Sequence, residues 1–334
     1  MPTIPVPGRY YEKYPDGAVS CRLCPHGCFL RNSNIGICGA RKNRDGTLYA
    51  LTYGAVTSSA LDPIEKKPLY HYFPGSRVFS IGGWGCNLKC VFCQNAPISQ
   101  YESPSVSMSP LEIALEGMAH SSIGVAYTYN EPLIAMEYVI DCARAVHKRG
   151  GKNVVVTNGF IEPGPLADLL PHVDAMNIDV KAFNNRFYKK MCGGTLDPVL
   201  QTVKTAVGKV HVELTTLLIP NENDAVPEME DLACWVADNC GKQTPVHLTA
   251  YHPSYNYNAA ATTVAHLKNA WRIFRSRLDY VYMGNVSVPG AGDTMCVHCG
   301  KVVLARIGYK VDSSGMNPDG TCANCGTPNN IVVT

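Results

Sequence analysis

Short runs of β-forming residues alternate with longer stretches of helical period through most of this chain. The runs at 78–81, 123–127, 153–157, 175–180, 211–218, 246–251 and 280–283 predict strands. Between them, helical spacing predicts helices opening at 109 and covering 132–149, 163–170, 195–207, 227–239 and 260–276. The first of these opens on Ser109-Pro110-Leu111-Glu112, with serine as N-cap, proline at N1 and glutamate at N3. Strands alternating with helices at this spacing predict a parallel sheet with right-handed crossovers. The expected fold is therefore α/β, an open or closed parallel β/α barrel over 76–290. Residues 1–75 predict a loop-rich, cysteine-rich metal-binding module that ends in a punctuated linker from Asp62 to Gly75. Residues 291–334 predict a small metal-stapled tail.

Reactive groups on a parallel barrel collect at the C-terminal ends of its strands. The polar outliers fall in those places. Thr128-Tyr129-Asn130-Glu131-Pro132 follows the second strand, and Asn158-Gly159 follows the third after Thr157. The fourth carries Asp179 with Lys181 just beyond it, and the sixth ends at Tyr251-His252-Pro253. Taken singly, each is an ordinary loop cap, because Asn, Asp and Gly favour strand-to-helix turns. Converging on one rim, they point to a site.

That rim also carries Cys86-Asn87-Leu88-Lys89-Cys90-Val91-Phe92-Cys93, just after the first strand. Three thiolates on one short loop can hold three irons of a cubane cluster and leave the fourth open to a small molecule. A structural zinc would want a fourth ligand nearby, and Gln94-Asn95-Ala96-Pro97 offers none.

Composition narrows the class. The chain has 334 residues, a formal net charge of +2 and 15 cysteines. Near-neutral charge gives no electrostatic reason to expect nucleic acid or an anionic membrane as main partner. No apolar run reaches membrane-spanning length, and the first residues lack a signal-peptide pattern. Many cysteines without a secretion signal fit a reducing cytoplasm in which thiols bind metal. Cys142, Cys192, Cys234 and Cys240 are solitary and read as packed thiols, Cys142 on an apolar helical face. The other eleven fall into three groups.

Cys296-Val297-His298-Cys299 and Cys322-Ala323-Asn324-Cys325 are two C-x2-C knuckles, each followed by glycine, and predict a zinc ribbon. Cys21, Cys24, Cys28 and Cys38 admit zinc or an auxiliary iron–sulfur cluster. Zinc is favoured, because a compact four-cysteine loop needs only a closed structural site. Arg306-Ile307-Gly308-Tyr309 is similar to a shortened glycyl-radical loop, but the strand pattern over 302–311 favours a ribbon hairpin.

The stretch from Gly85 to Asn95 resembles the radical S-adenosylmethionine (SAM) signature, in the branch that holds pyruvate formate-lyase activating enzyme and its homologues. Cys21-Arg22-Leu23-Cys24-Pro25-His26-Gly27-Cys28, Gly36-Ile37-Cys38-Gly39 and Asp62-Pro63-Ile64-Glu65-Lys66-Lys67-Pro68-Leu69-Tyr70-His71 resemble the AmmeMemoRadiSam-system radical SAM enzymes, as do the closing cysteine pairs. The match covers nearly the whole chain and implies a partial (β/α)6-type parallel barrel. The resemblance implies a 4Fe-4S cluster on Cys86, Cys90 and Cys93, with SAM chelating the open iron through its amino and carboxylate groups. One electron then breaks the sulfonium bond and leaves a 5′-deoxyadenosyl radical that abstracts hydrogen from an unidentified substrate. The same resemblance sets Phe92 against the adenine and Thr157, Asn158, Asp179 and Lys181 at ribose and methionine contacts. Lys181 would meet the SAM carboxylate, and His252 would hydrogen-bond the cofactor. Where the family carries a Gly-Gly-Glu-type segment this chain reads Tyr129-Asn130-Glu131-Pro132, so Asn130 replaces a main-chain contact beside Glu131. A flavodoxin- or ferredoxin-type electron donor follows as partner, and the substrate is a protein glycyl residue or another molecule. The competing expectation is a non-catalytic metal-binding module that touches nucleic acid through its ribbon.

Overall fold

The computed structural model describes residues 6–334. Its centre is one eight-stranded sheet in which every strand bonds the next in sequence. The strands are β1 (Ser58–Pro63), β2 (Arg77–Gly82), β3 (Ser122–Tyr127), β4 (Lys152–Thr157), β5 (Ala175–Asp179), β6 (His211–Leu218), β7 (Val246–Ala250) and β8 (Val281–Gly284). From β2 to β8 all pairings are parallel. Between consecutive parallel strands run α1 (Pro110–Gly117), α2 (Met136–His147), α3 (Pro163–Leu169), α4 (Asp197–Ala206), α5 (Val226–Cys240) and α6 (Val264–Arg275). Six β/α units therefore lead to a seventh parallel strand, as a partial barrel requires.

The sequence causes are local. Strands of a covered parallel sheet need near-continuous apolar runs, and Val125, Ala126, Val154, Val155, Ala175, Met176 and Ile178 are all fully buried. Burying each such Val or Ile contributes roughly 1.5–3 kcal/mol. The helices carry their apolar residues on one stripe: α2 buries Val139, Ile140, Cys142, Ala143 and Val146. Ser109 caps α1 in a reciprocal capping box with Glu112, as expected. The expected helix at 132–149 is entered through a 3-10 turn, Pro132–Ala135, because Glu131 caps it early with its side chain on Leu133 N–H. No helix among the described residues is long and apolar enough to cross a membrane.

One expectation needs correction. The stretch from Asp62, read as part of a linker, is not a free connector. β1 is the antiparallel edge strand of the central sheet, with Asp62 opposite Val78. Beyond it, Ile64, Leu69 and Tyr72 form a small core with Val78, Ala126 and Val154. Proline and lysine punctuation signals a loop, whereas the pairing is decided by partners fourteen to twenty-four residues on.

The N-terminal residues form two three-stranded sheets, one of Tyr11–Lys13, Val19–Cys21 and Phe29–Leu30, the other of Val6–Pro7, Thr47–Ala50 and Arg41–Arg44. Arg41 fastens them to the barrel. Its guanidinium makes a two-pronged, fully buried pair with Glu137 at 2.8 and 2.7 Å, and also donates to the Ile134 carbonyl. At the other end, β9 (Thr294–Met295), β10 (Val302–Ile307) and β11 (Lys310–Asp312) form the tail sheet. Gly308 sits in the β10–β11 turn at φ 60°, with Ile307 opposite Lys310, so this segment is the expected hairpin. The tail is tied back by Arg306, which donates to the Tyr70 carbonyl at 2.6 Å, and by Val332, whose carbonyl accepts from Phe73 N–H and whose N–H donates to the His71 carbonyl.

Candidate active site

The C-terminal ends of the strands enclose a cavity of about 330 Å³. Cys86, Cys90, Cys93, Phe92, Asn130, Glu131, Thr157, Asn158, Asp179 and Lys181 all line it. The convergence comes from topology. The parallel strands end at one level, so residues just after each strand face the same space. His252 is not drawn in; it lies exposed at the rim, its Nδ1 3.3 Å from Gln94 Nε2.

The cysteine loop is held by backbone contacts. Lys89 N–H and Val91 N–H donate to the carbonyls of Cys192 and Met191, in a π-helical turn that follows α3 by some twenty residues. Gly85, at φ 87°, must be glycine: a Cβ there would sit 2.5 Å from the Cys38 carbonyl. Cys93 Sγ lies 3.0 Å from Ser99 Oγ, and Asn158 Nδ2 lies 3.6 Å from Cys86 Sγ. Burial, with the charges of Glu131 and Cys90 behind it, pushes the Cys86 thiol far up. Contact with the Cys192 thiol, then burial, does the same at Cys90. Such thiols give up protons only to a metal that repays them. Cys192, solitary in the sequence, is a packed thiol as expected, but packed against this loop.

Asn130 spends its side chain on the glycine loop. Its Oδ1 accepts from Gly83 N–H and its Nδ2 donates to the Gly85 carbonyl, both at 3.0 Å. It acts as a clip beneath the cysteine loop. Tyr129 stands at φ 70°, in a three-residue turn closed by Asn130 N–H on the Thr128 carbonyl. That strained backbone is secured because the Tyr129 hydroxyl donates to Asp62, whose other partners are Lys66 and Lys67. Burial alone would raise the Asp62 carboxyl; these hydrogen bonds outweigh it and hold the group well below the usual range.

Glu131 is buried and accepts from Thr157 Oγ1 at 2.7 Å, Asn158 N–H at 2.8 Å and Leu133 N–H at 3.0 Å. Burial nevertheless pushes its carboxyl up to about 7, against those hydrogen bonds and with the help of Asp179. Lys181 donates to Asp179 at 2.9 Å. Burial works against its charge, but Asp179 and the thiols of Cys90 and Cys192 hold the ammonium well above its usual value. The site thus sets a fixed cation beside the thiols, which suits an anionic metal centre. Phe92 is buried, with the Phe187 ring 5.7 Å away. Leu88, Val156 and Leu217 complete apolar walls.

Several participants escaped the sequence. Asn87 is buried between the cysteines, donates to the Phe160 carbonyl at 2.6 Å and accepts from Asn158 Nδ2 at 2.9 Å. Its position inside the C-x3-C gap was the available signal. Asn95 reaches the Tyr129 carbonyl, and Thr215, Thr249 and Asn285 line the cavity from later strands. They carry no local signal, because threonine and asparagine near strand ends are common.

A partial parallel barrel that opens over a three-thiol loop defines an enzyme of radical chemistry. The sequence profile of the Radical SAM superfamily matches residues 81–233, so the chain carries a domain of that superfamily. Membership implies a 4Fe-4S cluster and SAM. The three thiols around one cavity, the glycine cradle beneath them and the Lys181 cation fit that pair. In particular, the chain is 40% identical over 334 residues to an uncharacterized protein of Methanocaldococcus jannaschii, covering 97% of this chain and 98% of that one. It is 26% identical over 176 residues to pyruvate formate-lyase 1-activating enzyme of Escherichia coli K12, covering 50% of this chain and 71% of the enzyme. Among solved structures, a radical SAM methyltransferase from Sphaerobacter thermophilus shares the fold, with a TM-score of 0.50 at 16% identity, over 69% of this chain and 71% of that one.

Proposed function

We propose that the cavity binds SAM against a 4Fe-4S cluster held by Cys86, Cys90 and Cys93, and that the enzyme abstracts hydrogen from a substrate at the open rim. The observation that carries this reading is the single cavity shared by the three thiols and the half-buried Lys181–Asp179 pair. Bound there, cluster and cofactor supply one-electron cleavage of the sulfonium and a 5′-deoxyadenosyl radical.

The chain's own residues bind, orient and shield. Lys181 has three donors and spends one on Asp179, so two remain for a carboxylate. Glu131, with Thr157 and Asn158 locked to it, presents negative potential for an ammonium. Phe92, Leu88, Val156 and Leu217 offer apolar cover to an adenosyl group and exclude water, which protects a radical from side reactions. Asn130 keeps the glycine loop beneath the thiols. His252, at the rim beside Gln94, takes a place at the edge of the cofactor.

The motifs from Cys21 to His71 support placement among AmmeMemoRadiSam-system enzymes, with an N-terminal module to 75, a barrel over 76–290 and a zinc-bearing tail from 291. Likeness to pyruvate formate-lyase 1-activating enzyme favours, as second reading, a protein glycyl residue as the hydrogen donor. A flavodoxin- or ferredoxin-type protein is the reductant, and the cytoplasm the compartment. The test is anaerobic turnover of SAM by Cys90→Ala: production of 5′-deoxyadenosine should vanish while the tail keeps its metal. Undiminished cleavage would overturn the reading.

A further inference from the structure

Three cysteine groups in this molecule differ in how far apart their sulfurs stand. In the tail, Cys296 and Cys325 are 3.6 Å apart and Cys299 and Cys322 are 3.7 Å apart. Four thiolates ~2.3 Å from one tetrahedral ion would stand about 3.8 Å apart, so this group has the spacing of zinc. Among the described residues it is the one group of metal-ligating side chains whose ligand atoms all lie within 4.8 Å of one another. Cys86, Cys90 and Cys93 are not drawn together so closely. They ring a cavity, as thiolates must when each binds a different iron.

The N-terminal four also fall outside the zinc spacing, since no three of their sulfurs lie within 4.8 Å of one another. They are neighbours nonetheless: the charges of Cys28 and Cys38 reach Cys21, and those of Cys21, Cys28 and Cys38 reach Cys24. Cys21 N–H donates to the Cys28 carbonyl across a hairpin at 2.9 Å, and the Cys24 carbonyl accepts from Gly27. Cys38 lies in the turn closed by Gly39 N–H on the Gly36 carbonyl, and a Cβ placed on Gly36 would stand 3.7 Å from Cys28 Sγ. All four thiols are free of disulfides, yet they do not close to the spacing of the tail group. We propose that Cys21, Cys24, Cys28 and Cys38 hold a second cubane iron–sulfur cluster rather than the zinc ion that their compact loop first suggests.

The surroundings agree with a centre that carries net negative charge. Arg41 is fully buried and its charge reaches both Cys21 and Cys38. The group also abuts the first cysteine loop: the Cys38 carbonyl packs on Gly85, and His26 Nε2 donates to the Asn87 carbonyl at 2.7 Å. A cubane closed by four thiolates has no open iron, so the chemistry left to it is storing and passing single electrons.

Metal content of the full-length protein, purified and reconstituted without oxygen, decides the matter, and it does so without SAM, so it stands or falls apart from the reading of the barrel site. The wild type should hold about eight irons, about eight acid-labile sulfides and about one zinc per chain. The triple variant Cys86→Ala, Cys90→Ala, Cys93→Ala should keep about half the iron, with the Mössbauer signature of a 4Fe-4S cluster. Cys24→Ala with Cys28→Ala should lose the other half and keep, once reduced, the EPR signal of one 4Fe-4S cluster. About four irons and two zincs in the wild type, or an iron-free triple variant that holds two zincs, would overturn the assignment. The wild-type count reads the same question should either variant fail to fold.

Discussion

Glu131 shows how one residue can serve both fold and chemistry. Its carboxyl joins the ends of β3 and β4 through Thr157 and Asn158, yet burial pushes it up to about 7. A cation bound beside it favours the ionised form. Below about pH 7 the carboxyl is protonated in the free protein, so ligand binding must expel a proton and weakens. SAM affinity should therefore rise with pH, by at most about tenfold per unit, and level off above about 7. Asp179 faces the same space and helps to raise Glu131, and Glu131 in turn raises the Cys86 thiol, which Lys181 lowers. Titrations with SAM from pH 5.5 to 8.5 would reveal the slope, and Glu131→Gln should flatten it.

At the same scale, the sequence made most of the site's residues visible but not their duties. Asn130 stands in the right loop, yet its amide is committed to Gly83 and Gly85, a pairing that only the folded chain creates. Cys192 carries no local pattern, and its place against Cys90 follows from a turn that returns to the cysteine loop a hundred residues later. His252 illustrates the opposite case, a residue in a matching position that the fold leaves exposed beside Gln94.

Elements matter through how they brace the loops. β1 and the turn after it bring Asp62 under Tyr129, with Lys67 Nζ 4.6 Å from the centre of the Tyr129 ring. A hydrogen bond to a charged group contributes about 1.5–3 kcal/mol. Tyr129→Phe should lower stability by about that amount. It should also weaken SAM binding, because the strained turn loses its anchor. Parallel measurement of thermal unfolding and SAM affinity checks both, and an unchanged affinity would separate the anchor from the site. The alternation of strands and helices made this sheet legible from 78 onward. β1 stayed hidden because its residues, Ser58-Ser59-Ala60-Leu61-Asp62-Pro63, look like a turn-rich connector until Val78 and Phe79 pair with them.

For the whole molecule, the two ends are fastened to the barrel by different means. Arg41 and Glu137 join the N-terminal sheets to α2 as a buried ion pair. Losing one partner leaves an unpaired buried charge, so Arg41→Met should cost about 3–5 kcal/mol. Adding Glu137→Leu should recover most of it, which denaturation of the single and double variants would measure. The tail is fastened by Arg306, His71 and Val332. Chelating the zinc proposed for the four tail cysteines should loosen Phe73 and Val332 together, seen as faster amide exchange at both, while α2 stays protected.

The sequence by itself determined the local facts: three thiols at a spacing that suits an open cluster, two knuckles that suit zinc, and strands that alternate with helices. These are read over a few residues, since thiol spacing, caps and apolar periodicity act at short range. Tertiary structure decided which of those pieces meet. It brought Lys181 to the thiols, spent Asn130 on a glycine loop, made an edge strand of a connector and set the Cys38 turn against Gly85. Such meetings depend on where the ends of separate strands come to lie, and no short window of sequence carries that information.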